Sequence, residues 1–227
     1  MKVYEGAIVS CNATGGVYRY LVEDKGRILF VGDGLPSAWS NAPRTALVGR
    51  SLLPAFADTH IHFMSYALFS AGLDVRAART IAELKETIAD FVRGARDAVT
   101  LGFGASPHCV AEKRLVTRED IDEACSDRPV YIVKYDGHAA VANSALLALL
   151  GEGLKTSRGF NADTGLMTQE AFFRVTDFVT GKVSLPATLG NMLTAVDGLA
   201  AMGVGSIHSV TGVGFPLHGR EPRKPLR

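Results

Sequence analysis

The sequence predicts an α/β protein preceded by a small all-β module, and three observations carry this. From residue 52 onward, strand-like runs alternate with helical stripes, the pattern of helices packed on a sheet. Residues 1–51 hold short strand signals and no helical period. Between the two parts, Leu52–Ala57 is continuously apolar, as a strand buried on both faces should be.

The elements follow in order. Val17–Val22 and Arg27–Val31 flank Asp24-Lys25-Gly26, a hairpin signal. Gly32-Asp33-Gly34 closes the second strand, and a Pro/Ser/Asn-rich loop runs to Arg44. Thr45–Val48 is a third strand, with a turn at Gly49-Arg50. The apolar strand Leu52–Ala57 carries Pro54 near its start, where a missing donor is tolerated. It runs directly into Asp58-Thr59-His60-Ile61-His62. Thr80 and Glu83 make a capping-box pattern ahead of the stripe Ile81, Leu84, Ile88, Phe91, Val92 and Ala95. Thr117–Cys125 is a shorter helix with an acidic first turn. Pro129–Tyr135 is a strand ending at Asp136-Gly137-His138, which is expected to open a helix that starts at Asn143 or Ser144 and runs through Leu150. Two more helices span Thr168–Val179 and Pro186–Met202, the latter with Pro in its first turn and Gly203 just past its end. Val204–Val210 is the last strand.

Composition excludes several classes. Lys+Arg at 24 against Asp+Glu at 23 leaves a net charge of +1, which gives no footprint for nucleic acid or an anionic membrane. The basic residues of the tail, Gly219–Arg227, sit among prolines and read as a disordered end. Cys11, Cys109 and Cys125 are odd in number and lack metal-type spacing, so no disulfide framework is implied. Met1–Gly6 lacks the apolar run of a signal peptide. No stretch approaches the roughly 20 apolar residues of a membrane span. A soluble cytoplasmic protein is expected.

In a strand, residues i, i+2 and i+4 share a face, so His60 and His62 project together with Asp58 in phase. Two imidazoles so placed can converge on one ion, and neutral imidazole suits zinc and similar metals. The other account of an isolated His-x-His is a polar, hydrogen-bonded strand end, for which one histidine would suffice. The position at the end of an apolar strand favours the metal. Asp136 and His138, at a strand end, either face a ligand or satisfy backbone donors in a tight turn. His208 reads as a hydrogen-bonded core histidine. His108-Cys109 are mere neighbours, and Gly102-Phe103-Gly104 is too short a glycine pattern for phosphate binding.

Gly49-Arg50-Ser51-Leu52-Leu53-Pro54-Ala55-Phe56-Ala57-Asp58-Thr59-His60-Ile61-His62 closely resembles the opening of the amidohydrolase superfamily. That opening is a basic-flanked Leu-Pro-Gly-Phe-hydrophobic-Asp-x-His-x-His closing the first barrel strand. Ala55 and Ala57 depart from its glycine and larger aliphatic residue, which touches packing and not the ligands. Asp127–Ala140 with Asn143-Ser144 resembles the insertion of the long amidohydrolases grouped with N-substituted formamide deformylase. The resemblance implies a partial (β/α)8 TIM barrel at 52–218, with an α/β insertion at about 72–185. It also implies a β-sandwich module at 1–51, leaving the tail at 219–227. The implied activity is metal-dependent hydrolysis of a carbon–nitrogen (non-peptide) bond in a small amide-like substrate. His60 and His62 would hold a divalent metal, zinc in the first instance, and Asp136 and His138 would lie on the substrate side. The branch also has a glutamate ligand after a Thr-Gly-x-hydrophobic segment. Here Glu170 comes one residue later than that pattern, with Gln169 in its place, so Glu170 is either a ligand or an ordinary first-turn carboxylate.

In such enzymes the metal lowers the pKa of bound water and polarises the substrate carbonyl, while an aspartate shuttles the proton. A full barrel needs about 250 residues by itself, and the whole chain has 227. Two or three barrel strands are therefore expected, and nothing after His208 resembles the later ligand strands. Three readings follow: an amidohydrolase represented by an incomplete chain, a non-catalytic remnant that binds metal, or an unrelated α/β module. An open sheet edge would also favour self-association into a homo-oligomer.

Overall fold

The computed structural model describes residues 1–95 and 97–210. The expected disordered tail, 219–227, lies outside them. The described residues divide into two compact units, Met1–Ala57 with Gly203–Ser206, and Asp58–Met202 with residues 207–210.

The first unit is built on one four-stranded sheet. Its strands are β1 (Lys2–Val9), β2 (Val17–Asp24), β3 (Arg27–Gly32) and β4 (Arg44–Leu52), in the order β3-β2-β1-β4. β1–β2 and β2–β3 are antiparallel, and β1–β4 is parallel. The predicted hairpin forms, with Lys25 at φ 49° and Gly26 at φ 77°. Two successive left-handed residues match the right-handed twist of the flanking strands. Val3, Ile8, Leu21 and Val22 are the buried residues of this sheet. Among the described residues the module is a single layer, where two packed sheets would make a sandwich.

The apolar strand is shifted from its expected place. Leu52 ends β4, and the next strand, β5, is Phe56–Ile61. It is exposed to half-buried throughout and, among the described residues, pairs only with β11 (Val204–Ser209) in a two-stranded sheet. A Phe56 N–H donates to Gly203 O at 2.8 Å, and a Val210 N–H to Ile61 O at 2.9 Å. Leu52 is half-buried and residues 53–57 are exposed, so no layer covers this segment on both faces and the expectation of double burial fails.

The second unit contains a five-stranded sheet of β6 (Leu73–Asp74), β7 (Thr100–Ala105), β8 (Val130–Lys134), β9 (Ala139–Ala142) and β10 (Leu166–Thr168), ordered β10-β9-β8-β7-β6. β6, β7 and β8 run parallel, and β9 and β10 add antiparallel. The doubly buried strand is β8. Val130 and Ile132 enter one core and Tyr131 and Val133 the other. One core takes the apolar stripe of α2 (Ile81–Gly94) and Ile121 of α3 (Arg118–Ala124). The other takes α4 (Ser144–Leu149) and α6 (Gln169–Thr180). Thr80 caps α2 as predicted, and Thr117, where the second helix was expected to start, caps α3, each accepting from the third residue on. At the first of these the reciprocal bond differs, since Glu83 accepts from the Arg79 N–H.

Three further helices are α1 (Phe63–Ser70), the short α5 (Glu152–Lys155) and α7 (Leu185–Ala201). α1 packs on α7, while Leu185, Leu189, Leu193 and Val196 of α7 remain exposed. Asp136-Gly137-His138 does not open a helix. It is the turn between β8 and β9, and the helix begins after β9, with Asn143 as its cap. Gly102-Phe103-Gly104 lies inside β7. Among the described residues no helix is long and apolar enough to cross a membrane.

Candidate active site

β5 ends at Ile61, and His62 follows as the residue that starts α1, its main-chain carbonyl accepting from the Tyr66 N–H at 2.9 Å. The His60 and His62 rings lie edge to face with centres 5.6 Å apart, so the i, i+2 expectation of neighbouring imidazoles holds. Asp58 does not join them. Its Oδ1 accepts from the His60 main-chain N–H at 3.0 Å.

His62 lines a cavity of ≈ 620 Å³ in the second unit, and Asp136 and His138 line it too. The β8–β9 turn that carries them is tied locally. The Gly137 N–H donates to Lys134 O at 2.9 Å with Gly137 at φ 72°, and the His138 N–H donates to Asp136 Oδ1 at 3.2 Å. Lys134 Nζ lies 2.7 Å from Asp136 Oδ2. That hydrogen bond holds the Asp136 carboxyl below the usual range, burial opposing it. Asp136 thus satisfies a backbone donor in a tight turn, as one of the two sequence accounts has it, and Asp136 and His138 both line the cavity.

An ion pair on the cavity wall, Asp74 with Arg76, escaped the sequence reading. Asp74, at the end of β6, grips Arg76 through two bonds, Nε to Oδ1 at 2.9 Å and Nη2 to Oδ2 at 2.7 Å, and accepts the Arg76 N–H at 3.0 Å. The Arg76 hydrogen bond lowers the Asp74 pKa. Gly104 makes room for this pair: at φ 103° it has no Cβ, and one placed there would lie 2.2 Å from Arg76 Cγ. An acid two residues before an arginine is a weak signal, common in ordinary turns.

The other candidates fall elsewhere. Glu170 sits in the first turn of α6, its Oε1 3.3 Å from Arg174 Nη1, and does not line the cavity. His208 is exposed on β11, contrary to the expected core histidine; among the described residues β11 pairs with β5 alone. His108 is exposed and meets Tyr135 edge to face at 6.0 Å, and Cys109 is exposed.

Whether these residues fit a metal can be tested on geometry. Two imidazoles on one zinc, with Zn–N near 2.0–2.1 Å, place their ring centres roughly 5 Å apart. The observed ring-centre separation of 5.6 Å is compatible in distance with two ligands of one ion. Among the described residues no three His, Cys, Asp or Glu side chains group closely enough to hold a metal. The donor set is thus two imidazoles at most, where a catalytic zinc keeps three protein ligands, and Glu170 pairs with Arg174 instead.

Comparison with known proteins agrees with the motif. The chain is 30% identical over 140 residues to N-substituted formamide deformylase of Arthrobacter pascens, covering 58% of this chain and 25% of that protein. It is 29% identical over 154 residues to the exoenzymes regulatory protein AepA of Pectobacterium carotovorum subsp. carotovorum, covering 64% of this chain and 33% of that one. The chain thus spans a fifth to a third of the curated relatives it matches, in their N-terminal portion. The crystal structure of an uncharacterized metal-dependent hydrolase from Pyrococcus furiosus superposes with a TM-score of 0.66 at 26% identity, over 92% of this chain and 44% of that one. A model of the amidohydrolase family matches residues 46–226, a stretch that holds both histidines and every cavity residue named above, and the chain belongs to that family.

Proposed function

We propose that the chain contributes to a metal-dependent hydrolase that cleaves a carbon–nitrogen bond outside peptides, with β5 and β11 as strands of its (β/α)8 barrel. One observation supports this best: His62, whose ring adjoins that of His60, lines the same cavity as Asp136 and His138. His60 and His62 would hold a divalent metal, zinc by donor type. Bound there, such an ion supplies a Lewis acid and a more acidic water. The chain's own residues do the rest. The Lys134–Asp136 pair fixes the turn, the turn presents His138, and the aromatic walls exclude water from the scissile group.

The test is amine release from N-formyl and N-acetyl amines, with zinc, manganese or cobalt added. The reading expects release that needs the metal and falls at least about tenfold in His62→Ala. With two nitrogen ligands and no positioned acid–base partner among the described residues, release should be slow, by about the 10²–10⁴-fold that general acid–base catalysis contributes. Metal-independent release, or release unchanged in His62→Ala, would contradict the reading.

A further inference from the structure

The walls of the cavity carry a chemistry of their own. Six aromatic side chains line it: Tyr66, Phe69, Phe103, Tyr135, Phe172 and Phe173. They come from α1, β7, the β8–β9 turn and α6. Phe69 and Phe103 have ring centres 6.3 Å apart, and Phe172 meets Phe173 edge to face at 5.3 Å. The carboxylates and the arginine on the wall arrive already paired, Asp74 with Arg76 at 2.7 Å and Asp136 with Lys134 at 2.7 Å.

Along these aromatic walls, away from His62 and His138, a charged ligand group loses hydration and meets side chains whose charge is already paired. An aromatic group loses little and finds rings to stack against, edge to face or offset. At ≈ 620 Å³, the space is within the range of about 300–1,000 Å³ typical of small-molecule sites. It exceeds what the smallest amides would fill.

We propose that this cavity takes an uncharged aromatic substituent of the substrate, so that the amides acted on are neutral and aryl-bearing, not charged or small. That the bound molecule is an amide rests on the hydrolase reading above; the preference for a neutral aromatic group rests on the walls alone.

The experiment is binding by ligand-observed NMR and calorimetry, with three probes: phenylacetamide, 4-carboxyphenylacetamide and acetamide. Phenylacetamide should bind at least tenfold more tightly than either of the others. Ser65 lines the cavity from α1, so Ser65→Trp should fill it and abolish that preference. Met64, exposed and outside the lining, gives the control Met64→Trp, which should keep it. Binding of the three probes within twofold of one another, tighter binding of the carboxylate, or a preference unchanged in Ser65→Trp would each overturn the inference. Metal content of the same wild-type sample separates the two ideas. Metal held without an aromatic preference overturns this inference alone, whereas an aromatic preference without metal upholds it and removes the hydrolase reading.

Discussion

Replacing Asn143 by Ala should destabilise the second unit more than any surface change near the cavity. Asn143 is fully buried, and its amide makes four bonds. Oδ1 accepts from the Val130 N–H at 3.0 Å and the Leu146 N–H at 3.1 Å, and Nδ2 donates to Cys125 O and Arg128 O, both at 2.8 Å. One side chain thus ties the start of β8, the end of α3 and the first turn of α4. Each bond is worth about 1 kcal/mol net, and buried partners left unpaired cost more. The expected loss is roughly 3–5 kcal/mol, at the high end for a point change. Urea denaturation followed by circular dichroism measures it, and the melting point should fall by roughly 10 °C for a domain of this size. Ser144→Ala is the control, since exposed Ser144 bonds only Asp122 at the same helix start; it should stay within about 1 kcal/mol of wild type. A cost for Asn143→Ala no larger than the control's would refute the argument, showing that water or relaxation replaces all four bonds.

Three other outcomes are expected. Asp120 is held down to about 2, chiefly by its hydrogen bond from Arg114. Its folded pKa lies below the unfolded value, so its contribution, roughly 2 kcal/mol by linkage, is full above about pH 4 and is lost as the pH falls through 2. The stability gap between wild type and Asp120→Asn, from urea midpoints, should therefore shrink between pH 4 and 2; a constant gap would contradict this. His138→Ala should change stability by no more than about 0.5 kcal/mol, because His138 is exposed in its turn; a loss of several kcal/mol would mark it as a structural residue. Gly104→Ala should cost about 1–3 kcal/mol in thermal denaturation, since a Cβ there meets the Arg76 stem, and a neutral result would show that Arg76 moves aside freely.

Helices with caps and stripes were legible in the sequence. Thr80 and Thr117 mark the starts of α2 and α3, Asn143 that of α4, and Pro186 and Gly203 bracket α7. The hairpin at Lys25-Gly26 and the strand β8 were equally plain. The rest was hidden for identifiable reasons. β7 is Thr-Leu-Gly-Phe-Gly-Ala, and β9 is mostly alanine; both residue types are depleted in strands, and the neighbours that bury them come from far along the chain. α1 follows His62 with no side-chain cap and no polar face to give it a period. His60 and His62 were found because strand geometry makes i and i+2 neighbours. Asp136 and His138 were found by position, though the turn was assigned to the wrong following element. Asp74, Arg76 and the aromatic walls could not be found, because the cavity is assembled from segments whose approach no local pattern encodes.

The central claim is that His60 and His62 together hold a divalent metal beside this cavity. The direct measurement is elemental analysis of the purified chain and of the double variant His60→Ala with His62→Ala, each equilibrated with a slight excess of zinc and then freed of unbound ions. The account predicts roughly one ion per wild-type chain and almost none in the variant; equal metal content in the two proteins would contradict it.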